Sequence, residues 1–386
     1  MMGFLLLLAA SAFAADAQAP QALRSERIDR LVENSMAQGL IAGGVVLVGN
    51  SRDVLFERAY GKVSAQPDAR PMSLDTVFDI ASLTKVVATT PAVLKLAEEG
   101  RLSLVAPVAK FLPEFAGKGK DELLVMHLLT HTSGLDDFSL AASDPLKSAV
   151  EGAANQKIHG ETGSRFKYAD INFILLGEIV RRVSGTGLDQ YAQAALFAPL
   201  GMNDTVFKPT LERSERCSLT LGDHVLYQGV VQDSLCRQLG GVAGHAGVFS
   251  TVHDLARFCR MMLNEGEADG KRVLSERAVR QMTAPYFSRG GAVVRGLGWD
   301  MASPFSSPRG KGFSEISFGH TGYSGSSLWL DPAEDIFVIF LTARLDYRKI
   351  KEFSQLRSEL SSITAELFGN RVPPCAGAMG RSDDSP

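Results

Sequence analysis

Ser82 and Lys85 stand three residues apart in Phe78-Asp-Ile-Ala-Ser82-Leu-Thr-Lys85-Val-Val-Ala. The apolar run that follows reads as a helix from Ser82 to about Glu99, ending before Gly100, with a kink expected at Pro91. Positions i and i+3 of a helix share a face, so the Lys85 amine is expected against the Ser82 hydroxyl. Serine is a poor nucleophile until a base takes its proton, and a partly desolvated lysine can be that base. The unpaired N–H groups and positive dipole end of the helix start would favour an oxyanion formed at Ser82. This is the chemistry of serine acyl transfer. The same spacing recurs at Ser164-Arg-Phe-Lys167, but in a polar stretch just after Gly163 with no helical run from the serine. The competing reading of Ser82 is a plain N-cap, so its downstream partners decide.

Two further stretches could complete such a site. Tyr168-Ala-Asp170-Ile-Asn172 precedes a helical pattern, and a tyrosine there can relay a proton between serine, lysine and leaving group. Gly319-His320-Thr321-Gly322-Tyr323-Ser-Gly325 opens a strand hairpin, where glycine lets backbone approach a substrate closely. A strand N–H from Tyr323 could then join that of Ser82 as an oxyanion hole. His245, in the glycine loop Gly240–Gly247, is a candidate to line the pocket, and His131 a weaker one. His127, His159, His224 and His253 read as ordinary positions.

Taken in order, Ser82-Leu-Thr-Lys85, Tyr168-Ala-Asp170 and His320-Thr321-Gly322 resemble the S-x-x-K, Y-x-N and K-T-G elements of the serine β-lactamase and penicillin-binding-protein superfamily. Order and spacing look most like the branch of class C β-lactamases, family VIII esterases and D,D-carboxypeptidase-like proteins. Leu128–Leu135, Gly244–Gly247 and Gly296–Trp299 also look like that group, so the resemblance covers roughly residues 25 to 368. It implies Ser82 as nucleophile, Lys85 and Tyr168 sharing acid and base work, and Asp170, His320, Thr321, Gly322, Tyr323 and His245 around substrate and oxyanion. It also implies a substrate that is an ester, a β-lactam or a peptidoglycan peptide, handled by an esterase, D,D-carboxypeptidase, β-lactamase or non-turnover penicillin-binding protein. Two departures stand out. Asp170 replaces a neutral amide with a carboxylate that only accepts when ionised, which should hold Lys85 protonated. His320 replaces the lysine of K-T-G, removing a fixed positive charge or making it depend on pH. Both weigh against efficient β-lactam hydrolysis. With no G-x-S-x-G elbow in the chain, an α/β-hydrolase is set aside.

The elements that must position these residues follow from pattern. Strands read at both ends of the chain, in Gly44–Gly49 and Val54–Tyr60, then in Ala292–Trp299, Ser314–Phe318, Ser326–Leu330 and Ile336–Leu341. Helical patterns dominate from Gly100 to Phe287, with Ile171–Val183 and Val252–Leu263 the clearest, and a last helix carries Phe353 to Leu367. The expected fold is α+β, an antiparallel sheet built from both chain ends with flanking helices. Its α/β lobe comprises residues 22–99 and 290–369, a helical lobe of 100–289 is inserted, and a disordered tail spans 370–386. The apolar start closes on an A-x-A site and reads as a secretory signal over residues 1–14, with no cysteine at the cut for a lipid anchor. A periplasmic or secreted protein without a stable membrane span is expected. Lysine plus arginine number 40 against 43 acidic residues, and no basic block suggests nucleic acid. No metal-binding pattern occurs, so neither metal nor cofactor is expected. Cys217, Cys236, Cys259 and Cys375 admit three full pairings; Cys217 and Cys236 bracket two short strands and invite a disulfide, whereas Cys259 reads as a buried thiol.

Overall fold

The computed structural model describes residues 21–158, 160–287 and 294–369. The expected signal, His159, Cys375, the tail and the first residues of the Ala292 strand lie outside them. Helix α1 (Gln21–Ala37) leads into strands β1 (Ile41–Gly49) and β2 (Val54–Gly61). Short strands β3 (Phe78–Asp79), β4 (Val206–Phe207) and β7 (Val248–Ser250) form a separate three-stranded sheet, and β5 (Thr220–Gly222) pairs with β6 (Val225–Tyr227) as a hairpin. The chain then adds β8 (Tyr286–Phe287), β9 (Val294–Arg295), β10 (Asp300–Ala302), β11 (Phe318–Thr321), β12 (Ser327–Asp331) and β13 (Ile336–Arg344). These six join β1 and β2 in one antiparallel eight-stranded sheet, ordered β8-β9-β10-β11-β12-β13-β1-β2.

The central strands β1, β12 and β13 are buried on both faces, which explains their near-continuous apolar runs, whereas the edge strand β2 is largely exposed. Along β1, Val45 and Leu47 enter the core shared with the helical region, while Val46 and Val48 enter a second core under α1 and the final helix Ile350–Phe368. Strand β13 alternates likewise, Phe337, Ile339 and Leu341 on one side and Ile336, Val338 and Phe340 on the other.

Several elements depart from the sequence reading. The Ser82 segment is a 3₁₀ turn (Ala81–Leu83), a wide π turn (Lys85–Thr89) and only then a regular helix, α2 (Thr90–Glu98). Pro91 therefore falls in the first turn of α2, where a missing N–H costs little, instead of kinking a helix interior. Ser314–Ser317 forms a turn, so the strand begins at Phe318, and of Ala292–Trp299 only Val294–Arg295 is strand among the described residues. The expected Cys217–Cys236 disulfide is absent. Both thiols are buried and free, and each donates to a carbonyl instead, Cys217 to Arg213 and Cys236 to Ala246. Cys259 is a buried thiol as expected.

The glycine loop 240–247 packs onto helix α3 (Asp170–Ser184) so tightly that a Cβ on Gly244 would lie 1.9 Å from the Phe173 carbonyl oxygen. Gly244→Ala should therefore lower unfolding free energy by about 1–3 kcal/mol, the usual cost of overpacking, read as a fall in the urea midpoint. An unchanged midpoint would mean that the loop relaxes freely.

Candidate active site

The turn that carries Ser82 is held in an unusual backbone. Ala81 adopts φ +47°, costly for a residue with a Cβ, and buried Asp79 supports it. One Asp79 carboxylate oxygen accepts from Ala81 N–H at 2.8 Å and the other from Gln232 N–H at 2.7 Å. The strand after Thr321 closes on this turn: a Cβ on Gly322 would stand 2.6 Å from the Ile80 carbonyl, and Ser324 Oγ donates to the Asp79 carbonyl at 2.7 Å. Ser82 is thereby presented to a cavity of about 610 Å³.

Lys85 is fully buried beneath Ser82. Its Nζ donates to Ser82 Oγ and to the His245 carbonyl, both at 3.0 Å, and makes a 2.7 Å ion pair with Asp170 Oδ1. Burial opposes the ammonium, but Asp170 and Tyr168 outweigh it and hold Lys85 above the usual lysine range. Burial likewise opposes the Asp170 carboxylate, and Lys85 with His245 pulls it below the usual range. The Tyr168 phenol meets both Ser82 and Lys85; burial first, then Asp170, keeps it protonated above the usual phenol range against the pull of Lys85.

The structure brings Ser82, Tyr168, Asp170 and Tyr323 together as cavity lining. The His245 ring is buried, with Nε2 2.8 Å from Asp233 Oδ1, so its direct contribution beside Lys85 is its carbonyl. His320 is buried behind Tyr168, ring centroids 6.1 Å apart, with Nδ1 at 2.9 Å from the Thr321 carbonyl. Burial, then Arg295 and Lys85, pushes His320 well below its ordinary value. It is therefore neutral and supplies no cation. The second S-x-x-K is dispersed: Ser164 bonds the Glu161 carbonyl and Lys167 pairs with Asp136.

Sequence reasoning missed four contributors. Asp79 left a faint signal, an Asp two residues before the strained Ala81, as in an Asx turn. Asp233 had none; it caps Ser234–Gln238 through Cys236 N–H while facing His245. Asp223 and His224, at the tip of the β5–β6 hairpin, line the cavity, although His224 read as ordinary. His131 also proves central: its ring stacks on Tyr168 at 4.4 Å and its Nδ1 faces Ala169 N–H and Asn172 Nδ2, both at 3.3 Å. Asp170, Asp233 and His245 bring ligand atoms within 4.8 Å of one another, a spacing open to a cation. Lys85 already neutralises Asp170 there, and the His245 ring faces Asp233.

Comparison with known proteins gives the family and the fold. The family described as Beta-lactamase matches residues 28–353. The N-acetylmuramyl-L-alanine amidase of Bacillus subtilis is 29% identical over 357 residues, covering 82% of this chain and 80% of that protein. A putative D-alanyl-D-alanine carboxypeptidase of Escherichia coli is 28% identical over 363 residues, covering 83% and 82%. A solved class C β-lactamase in complex with cefoxitin superposes with TM-score 0.73 at 20% identity, over 88% of this chain and 98% of that one, a likeness of fold alone. Among the described residues no helix is long and apolar enough to cross a membrane.

The neutral burial of His320 has a thermodynamic consequence. A histidine whose folded pKa is depressed contributes stability fully present above its unfolded value of 6.5 and lost progressively as pH falls from there toward the folded value. His320→Gln should shrink the loss of unfolding free energy between pH 7.5 and 5 by no more than about 2 kcal/mol, the linkage limit for one group. Parallel urea titrations at the two pH values would show it; an identical loss in both proteins would place the acid sensitivity elsewhere.

Proposed function

The chain belongs to the β-lactamase family, and on that premise we propose that it is a serine hydrolase that forms an acyl-enzyme on Ser82 and releases it to water. The observation that carries this reading is the buried Lys85 ammonium 3.0 Å from a Ser82 hydroxyl that faces the cavity. In this reading Ser82 attacks the scissile carbonyl, Lys85 and Tyr168 move its proton to the leaving group, and the N–H groups of Ser82 and Tyr323 receive the oxyanion. Tyr323 N–H has no backbone partner among the described residues, which leaves it free for that role. The apolar leader assigns the enzyme to export, and the reading uses neither metal nor cofactor.

The charge of the cavity narrows the substrate. Among the described residues its lining includes Asp170, Asp223 and Asp233 but no lysine or arginine side chain. Arg237 is engaged by Asp223 and lies over Tyr227, and Arg344 is buried beneath the rings of Tyr323 and Tyr347. With His320 neutral, no lysine or arginine among the described residues is placed to match a carboxylate beside the scissile bond. An ester or an internal amide fits better than a β-lactam or a peptide ending in a free carboxylate. The amidase relative supports peptidoglycan peptides as a source of such amides, whereas the carboxypeptidase relative favours the peptide with a free carboxylate. A penicillin-binding protein that acylates without turnover is the competing reading, and stable labelling by a fluorescent penicillin without ester turnover would favour it.

Ser82→Ala should reduce p-nitrophenyl butyrate hydrolysis by at least about 10³-fold with an unchanged circular dichroism spectrum; retained turnover would remove Ser82 from its role. On a matched pair of peptide substrates, kcat/KM should be about tenfold or more lower for the free carboxylate than for its carboxamide. The reverse order would move the assignment to a D,D-carboxypeptidase.

A further inference from the structure

We propose that Asp170 is the terminal proton acceptor of this site, taking the Ser82 proton by way of Lys85 during acylation and the proton of the hydrolytic water during deacylation. The proposal rests on the serine-hydrolase reading above and adds a base that this reading does not contain.

The argument starts from the donors of Lys85. An ammonium has three N–H bonds and no lone pair, and Lys85 faces Ser82 Oγ, the His245 carbonyl, Asp170 Oδ1 and the Tyr168 phenol. Poised this way, Lys85 donates to Ser82 and cannot take its proton until it gives one up. Of these partners, the two hydroxyls and the peptide carbonyl are too weakly basic to hold that proton. The Asp170 carboxylate, 2.7 Å away, can. Tyr168 enters as a neutral phenol, so it can pass a proton along but does not begin as a base. The Asp170 side chain is also 27% exposed and lines the cavity. It can therefore touch water at one end while touching Lys85 at the other.

The protons balance through a full cycle. As Ser82 Oγ bonds to the scissile carbonyl carbon, its proton passes to Lys85 and a Lys85 proton passes to Asp170. When the tetrahedral intermediate collapses, the leaving group takes a proton from Lys85 through Tyr168, and Asp170 returns its own to Lys85. In deacylation a water gives its proton to Asp170 as its oxygen bonds to the acyl carbon. Ser82 Oγ then departs with a proton from Lys85, which Asp170 replaces. Lys85 ends as the ammonium and Asp170 as the carboxylate, as they began.

The groups facing Asp170 are Lys85 and Ser82 from the nucleophile segment, its neighbour Tyr168, Asp137 from the preceding loop, and Asp233 and His245 from the loop opposite. Lys85 and His245 favour its ionised form, while Asp137 and Asp233 oppose it.

The test compares wild type with Asp170→Asn, near-isosteric and neutral, and Asp170→Glu, on p-nitrophenyl butyrate from pH 5 to 9. Wild-type kcat/KM should be flat through the lower half of this range, because the base is a carboxylate already ionised there. Asp170→Asn should fall about 10²–10⁴-fold at pH 7 and rise about tenfold per pH unit, since Lys85 must now lose a proton to solvent first. It should also accumulate acyl-Ser82, visible by intact mass. Asp170→Glu should recover part of the rate with a flat profile. Circular dichroism melts check that both variants fold. Rates within threefold of wild type, or a loss with an unchanged flat profile, would overturn the proposal. Absence of any acyl-Ser82 or turnover in wild type would instead overturn the hydrolase reading, and this proposal with it.

Discussion

The burial of the Lys85 ammonium constrains the rest of the site. A cation taken out of water needs its donors satisfied, and the chain supplies three acceptors from three separate segments: its own turn, the 240–247 loop and the start of α3. Each segment is fixed in turn by neighbours. Thr89 Oγ1 donates to the Gly244 carbonyl at 2.7 Å, and Gly244 seats against Phe173 on α3. Displacing one of these segments would leave a buried charge short of a partner, so the lysine locks together parts of the chain more than 150 residues apart.

Backbone proximity is the second constraint. The turn before Ser82 is strained at Ala81, and the strain is held by an aspartate rather than relieved by a glycine. Gly322, just past β11, lets the backbone come down onto Ile80, and Tyr323 beyond it lines the cavity with Ser82. The wide turn from Lys85 to Thr89 sits between the strained turn and Pro91 and delivers the chain into α2 without an interior proline.

Electrostatics then separates this chain from its likeness in fold. Its superposition on a class C β-lactamase concerns the path of the backbone. The charges around the cavity are its own: three carboxylates at the lining, a neutral histidine where the family motif has lysine, and arginines engaged elsewhere. Under the proposed reading, a site of this polarity disfavours a carboxylate beside the scissile bond.

The order of Ser82-x-x-Lys85, Tyr168 and His320-Thr-Gly was legible in the sequence, because those residues are neighbours along local elements whose periodicity is short-range. So were the sheet strands Gly44–Gly49 and Ile336–Leu341, since burial on both faces leaves an unbroken apolar run. The turn chemistry around Ser82 was not legible, because the choice among 3₁₀, π and α geometry depends on contacts with Asp79, Gln232 and the 240–247 loop. Nor did spacing reveal Asp233, Asp223, His224 or the stacking of His131 on Tyr168; these residues reach the site through loops whose paths no local pattern fixes. The sequence by itself determined the pairing of Ser82 with Lys85 and that the sheet is built from both chain ends, through periodicity and side-chain type. Only the tertiary structure decided that Asp223, Asp233 and His224 join the cavity and that His320 is uncharged, because both depend on how distant segments pack and on the water their packing excludes.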